Sequence, residues 1–162
     1  MDFYIILRGP AGVGKTTIAE KLSQIYNAHY IPIDKVKKRL GLMNSEQDKM
    51  EANKVVIEEA MSYLDQGKVV ILDEVLYFEN QLAQLEEMPY TSYLFSLNAS
   101  LWCCLERNRK RRANTNRKLS DDTVKLVYGV VSLLKKGIEI SNEDRTIDET
   151  VNEILSYLPQ PK

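Results

Sequence analysis

The chain is poor in the residues that stand in for a hydrophobic core. It has two cysteines in 162 residues, and Cys103 and Cys104 are adjacent, so no disulfide framework or Cys/His metal cluster is available to it. Both read as reduced, partly buried thiols. The single histidine, His29, and the single tryptophan, Trp102, read as structural residues. Five prolines and seven glycines are too few for a linker-rich or low-complexity chain. No apolar run reaches the ~18 residues a membrane-spanning helix needs. The first residues form a strand candidate rather than a basic-then-apolar leader, so the expected location is the cytoplasm, with no membrane partner. A formal charge of −1 gives no global attraction to nucleic acid or lipid.

What is present is ordinary globular material, 44% hydrophobic and 28% charged, at a length that suits one domain spanning 1–162. Its oligomeric state reads as monomer or weak dimer. Apolar β-prone runs alternate with helical stretches. Phe3–Leu7 is the first strand, and "AHYIPID" gives a short second one ending near Asp34. "VVILDEV" is continuously apolar until its acids, as a strand buried on both faces requires. "TSYLFSLN" and "IEI" follow. Between them lie a helix over 15–26, a brief one in "KVKKRL", and a long one capped by Asn44 or Ser45. Further helices fall in "FENQLAQLEE", in "SLWCCLERNRKRR" and after Ser120, and a last one carries a capping box between Thr146 and Glu149. Strands separated by helices imply a parallel sheet covered on both faces, a three-layer α/β fold.

The strongest local signal is "GPAGVGKTT", Gly9-x-x-x-x-Gly14-Lys15-Thr16, between the first strand and the first helix. Glycines permit left-handed backbone and let N–H groups converge on phosphate oxygens. The backbone of Gly9, Ala11, Gly12, Val13 and Gly14 is thus a phosphate cradle, aided by the dipole of the helix beginning there. Lys15 supplies a cation for the β- and γ-phosphates, Thr16 a hydroxyl for Mg²⁺, and Thr17 a hydroxyl nearer the α-phosphate. Asp73, at the carboxyl end of "VVILDE", lies on the sheet edge that faces ligands and is the second Mg²⁺ candidate; otherwise it is a solvated strand end. Glu74 beside it either polarises a water for hydrolysis or faces outward as a loop carboxylate.

Asp34 ends the second strand on the same edge, followed by Lys35, Lys37, Lys38 and Arg39. It is either a base for an acceptor hydroxyl or the N-cap of the short helix, and the two roles are compatible. Leu101, Cys104, Leu105 and Asn108 share helical spacing, with Arg107 and Arg111 on a neighbouring face. Seven basic residues fall in 107–118 with no acid among them. Such a segment either meets bound phosphate or is a solvated basic turn or an RNA-binding patch, although no interleaved aromatics support the last.

The series "GPAGVGKTT", "IPIDKVKKRLG", "VVILDEV" and "LERNRKRR" resembles the small P-loop kinases related to adenylate kinase. The nearer likeness is to the branch with polynucleotide kinase, gluconate kinase and chloramphenicol phosphotransferase. The resemblance implies a five-stranded parallel sheet of order 2-3-1-4-5 and a short basic lid over about 107–120. It implies that Asp34 activates the acceptor, that Arg107 and Arg111 are lid arginines near ATP, and that Ser141 and Asn142 lie beside adenine. Glu74 departs from the small residue common in that branch. The expected activity is Mg-ATP-dependent transfer of the γ-phosphate to a hydroxyl or phosphate of a small molecule, a nucleoside or nucleotide, or a polynucleotide end. The rival reading is an ATP-binding switch or ATPase with water as acceptor.

Overall fold

A computed structural model describes residues 1–114 and 119–162. In chain order the elements are β1 (Phe3–Arg8), α1 (Lys15–Tyr26), β2 (His29–Pro32), α2 (Ile33–Arg39), α3 (Glu46–Leu64) and β3 (Val70–Glu74). There follow α4 (Glu79–Glu86), β4 (Thr91–Asn98), α5 (Leu101–Asn114), α6 (Asp121–Leu133), β5 (Ile138–Ser141) and α7 (Ile147–Leu155). The five strands form one parallel sheet of order β2-β3-β1-β4-β5, as expected from the resemblance.

Alternation along the central strands splits the core into two layers. Phe3, Ile5 and Leu7 of β1, Ile71 of β3 and Phe95 of β4 pack with Ile18, Ala19 and Leu22 of α1 and Val151 and Ile154 of α7. Tyr4 and Ile6, with Val70 and Leu72, pack on the other face against Val56, Ala60 and Leu64 of α3 and Leu82 and Leu85 of α4. The same alternation sends the neighbours Asp73 and Glu74 to opposite faces. Asp73 continues the row of Ile71, under α1. Glu74 continues the row of Val70 and Leu72, under α3 and α4.

Caps read from the sequence hold where a hydroxyl leads a helix. Ser45 accepts from the Asp48 N–H, Ser120 from the Thr123 N–H, and Thr146 and Glu149 form the reciprocal box. Asp34 differs from its expected place at a strand end. The edge strand β2 stops at Pro32, which has no N–H to extend the ladder, and α2 starts at Ile33. Asp34 therefore sits inside the first helical turn and is not its N-cap.

Arg8 is a buried residue for which no sequence signal speaks. At the end of β1 it donates to the carbonyls of Leu76 (3.1 Å), Leu134 (2.8 Å) and Val131 (3.2 Å) and to Ser96 Oγ (2.9 Å). It thereby satisfies backbone groups at the C-terminal end of α6 that the helix itself leaves without partners. Trp102, read as structural, is instead 68% exposed on α5. Its helix buries Cys104, Leu105 and Asn108, and position 102 falls outside that stripe.

Candidate active site

The glycine loop turns between β1 and α1 with the conformations its sequence requires. Gly12 has φ 83°, and a Cβ there would lie 2.5 Å from the Cys104 carbonyl oxygen. Gly14, the N-cap of α1, has φ 105°, and its Cβ would lie 2.7 Å from Asn142 Nδ2. Any side chain at either position would push the loop off α5 or off the β5–α7 turn.

Two distant side chains brace the loop by one atom. Arg107 on α5 and Asn142 after β5 both donate to the Val13 carbonyl, at 2.9 and 2.6 Å. Arg107 also donates to the Asn142 carbonyl (2.6 Å), and Thr150 of α7 donates to Asn142 Oδ1 (2.6 Å). With the Val13 carbonyl taken by these donors, the loop is held in shape. Asn142 is thus buried and its side chain is committed to the protein, while Ser141 is exposed at the end of β5. Ala11 and Thr16 are half-buried and Thr17 is exposed.

Lys15 folds back over the loop and donates to the carbonyls of Gly9 (2.8 Å) and Pro10 (3.1 Å). Burial pushes its ammonium below the usual lysine range, Asp73 opposes that shift, and the positive charge of Arg111 adds to it. Lys15, Asp73 and Arg111 therefore share one electrostatic neighbourhood. Arg109 and Arg112 do not join it. Both pair with Asp121 at the start of α6, at 2.9 and 2.7 Å. The acid that relieves this part of the basic run lies just past it in sequence. Of the expected lid over 107–120, residues 107–114 are helical and Leu119 and Ser120 precede α6; Arg117 and Lys118 lie outside the described residues.

Asp73 is buried and accepts a short hydrogen bond from the Tyr30 hydroxyl. Burial and the Asp73 charge both push the Tyr30 phenol up, so it remains a donor at any ordinary pH. Tyr30 was not singled out from the sequence. Its place on β2, paired in register with Ile71, brings it beside Asp73. A hydroxyl at Thr16 and a carboxylate at Asp73 are hard oxygen donors of the kind Mg²⁺ takes alongside phosphate oxygens. No cluster of three or more His, Cys, Asp or Glu exists among the described residues.

On the opposite face Glu74 is neither outward-facing nor open to water. Its Oε1 accepts from Lys49 Nζ (3.1 Å) and lies 3.9 Å from Lys37 Nζ, and its Oε2 accepts from Gln81 Nε2 (2.6 Å). The Lys49 and Glu74 side chains are only 1% and 2% exposed. Lys49 also sits over the Tyr77 ring, 4.6 Å from its centre. Lys37 extends the network to Asn44 Oδ1 (2.7 Å) and to Asp34 Oδ1 (3.1 Å), while Lys38 holds Asp34 Oδ2 (3.1 Å). Burial raises the Asp34 pKa, but Lys37 and Lys38 outweigh it and the carboxyl is held below its ordinary value.

The family pattern described as "AAA domain" matches residues 5–127. Among solved structures, a gluconokinase from Sinorhizobium meliloti 1021 superposes with a TM-score of 0.74 at 16% identity, over 96% of this chain and 90% of that one. A sugar kinase from Janibacter sp. HTCC2649 gives 0.76 at 15% identity, over 97% and 94%. The APS kinase CysC of Mycobacterium tuberculosis, solved with AMPPNP and APS, gives 0.75 at 17% identity, over 96% of each chain. With its glycine loop, parallel sheet and strand order, the chain belongs to the AAA domain family and has the fold of the small P-loop kinases.

Proposed function

We propose that this protein is a Mg-ATP-dependent kinase that passes the γ-phosphate to an acceptor, a hydroxyl or phosphate of a small molecule, a nucleotide or a polynucleotide end. The observation that carries the reading is the convergence of three neighbouring strand ends. Asp73 pairs in register with Leu7, two residues before Gly9, and with Pro32, two residues before Asp34. A phosphate cradle, a metal-type carboxylate and an ionised acid beside the cradle are thereby set side by side on the carboxyl edge of β1, β3 and β2.

Each side chain then has a definite task. The loop N–H groups and Lys15 hold the phosphates, and Lys15 exchanges its two loop carbonyls for phosphate oxygens. Thr16 and Asp73 would hold Mg²⁺, which supplies charge neutralisation on the phosphate oxygens when bound. Asp34 is ionised near neutrality and accepts the proton of a hydroxyl acceptor as its oxygen attacks. Arg111 meets negative charge gathering on the transferred group. Arg107 keeps the cradle in shape through Val13 and flanks the loop at 141–142, where adenine is expected.

Glu74 weighs against water as the intended acceptor. Its side chain is only 2% exposed and both oxygens are engaged by Lys49 and Gln81, so no hydrolytic water reaches it, whereas the Asp34 carboxylate, held by two lysines, is 49% exposed. The fold relatives are kinases by name, and one was solved with AMPPNP and APS. Among the described residues no helix is long and apolar enough to cross a membrane. The test is turnover of labelled ATP alone and with pools of nucleosides, nucleotides, sugars and oligonucleotides. Label moving into one pool, with faster ATP consumption, supports the kinase. Steady phosphate release indifferent to every pool overturns it in favour of an ATPase.

A further inference from the structure

Helix α6 carries apolar side chains on its outer face as well as its inner one. It buries Val124 and Val131 toward the body, yet Leu126 is 68% and Leu133 85% exposed. The outermost line of the helix reads Asp122, Leu126, Gly129, Leu133, with spacings of four, three and four. That is the seam spacing of paired helices. Val130 flanks the line, half-exposed, and a Cβ built on Gly129 would meet nothing within 4 Å. Asp122 opens the seam, Asp121 beside it being held by Arg109 and Arg112 of its own chain, and Lys135 and Lys136 stand just beyond its end.

We propose that this face pairs with the same face of a second copy of the chain, the two α6 helices antiparallel about a two-fold axis at Gly129. In that arrangement Leu126 of each copy meets Leu133 of the other. The glycines face one another at the crossing, where the missing side chains let the backbones approach. Asp122 of each copy faces the Lys135–Lys136 segment of the other, and the helix dipoles oppose. A parallel pairing would set acid on acid and lysine on lysine, so charge selects the antiparallel form. The face is complementary to itself, as a two-fold contact demands. Lys136 also reaches Glu79 of its own chain at 3.3 Å, which leaves Lys135 as the freer of the pair. A helix of 13 residues is about 20 Å long, so the contact belongs to the small, concentration-dependent class.

Sedimentation velocity of the full chain from low micromolar to several hundred micromolar tests this without reference to any activity. Monomer giving way to dimer is expected. Leu126→Glu and Leu133→Glu, both at exposed positions, should each raise the dissociation constant more than about tenfold while leaving circular dichroism unchanged. Asp122→Lys alone and Lys135→Glu/Lys136→Glu alone should weaken self-association. The triple variant combining them should restore it, because antiparallel pairing puts each reversed charge against the other's reversed charge. A chain that stays monomeric to the highest concentration overturns the proposal. So does a dimer indifferent to both leucine variants, or a triple variant weaker than either partial one.

Discussion

The two sides of the central sheet solve the same problem, holding functional groups at one edge, with different chemistry. On the α1 side the phosphate cradle is made of backbone, and it is kept in shape by neutral or single-charge donors. Arg107 and Asn142 converge on Val13, and Thr150 secures Asn142. On the α3 side the expected acceptor acid is held by a chain of alternating charges, Lys38, Asp34, Lys37, Glu74 and Lys49, which runs from solvent into the core. A backbone cradle tolerates loss of one brace, because the remaining hydrogen bonds keep the loop closed. A buried charge chain does not, since removal of one member strands the next in a medium that cannot solvate it. The α1 side is thus built for shape and the α3 side for charge.

The sharpest way to break that comparison is to neutralise the two acids that face the shared edge. Asp34→Asn should lower phosphoryl transfer roughly 10²–10⁴-fold, the range of a general base, with little change in ATP affinity. Asp73→Asn should instead raise the Mg²⁺ concentration needed for half-maximal rate. Isothermal titration with ATP and rate measurements across a Mg²⁺ series separate the two; equal loss of ATP binding in both variants would refute the division. Because the Asp34 pKa is held down by its lysines, the acid limb of the rate profile should fall below the ordinary aspartate value of 3.8. Lys38→Met, at an exposed position, should move that limb upward.

Next in size is Lys15→Ala. Removal of a preorganised donor aimed at developing charge costs roughly 10²–10³-fold in rate, and the loop should survive because Val13 keeps its two donors. An unchanged urea midpoint with collapsed turnover is the expected pair of results. Turnover like the parent's would mean that the glycine loop is not the active site. The matching change on the other side is Glu74→Leu, which leaves the Lys49 ammonium buried without its partner. The cost is about 3–5 kcal/mol of stability, and Lys49→Met added to it should recover most of that loss. Unfolding in urea reads both; a Glu74→Leu chain as stable as the parent would show that the charge chain carries no structural weight.

The same contrast explains what could be read from the amino-acid sequence. The cradle is local, nine residues whose spacing states its own chemistry, and the strands that frame it announce themselves by continuous apolar runs. Helix caps at Ser45, Ser120 and Thr146 are local too, and each was legible. The braces were not, because Arg107 and Asn142 lie 94 and 129 residues from the carbonyl they hold. Tyr30 reaches Asp73 only through strand pairing, and nothing in "AHYIPID" distinguishes it from a packing tyrosine. Lys49 looks like any charge on an amphipathic helix until α3 is laid on β3 and the side chain meets Glu74. Arg109 and Arg112 count among seven unrelieved charges in the sequence because their partner, Asp121, belongs to the next helix.

The smallest expected effect concerns the thiols beneath the cradle. Burial, with Cys103 beside it, pushes the Cys104 thiol up to about 11. At pH 8 such a thiol is only about one part in a thousand thiolate, and the thiolate is the form that reacts. Cys104 also lies under the loop, its carbonyl pressed against Gly12, so alkylation requires α5 to part from the cradle. Cys103, half-buried and one residue away, has no such cover. Iodoacetamide at pH 8 should therefore modify Cys103 first and leave Cys104 largely intact, as peptide mass spectrometry would report. Raising the pH toward 10 should increase Cys104 labelling steeply. Mg-ATP should slow it if phosphate binding tightens the loop. Equal labelling of the two cysteines at pH 8 would show that the α1 side is not the closed, shape-holding half of the molecule.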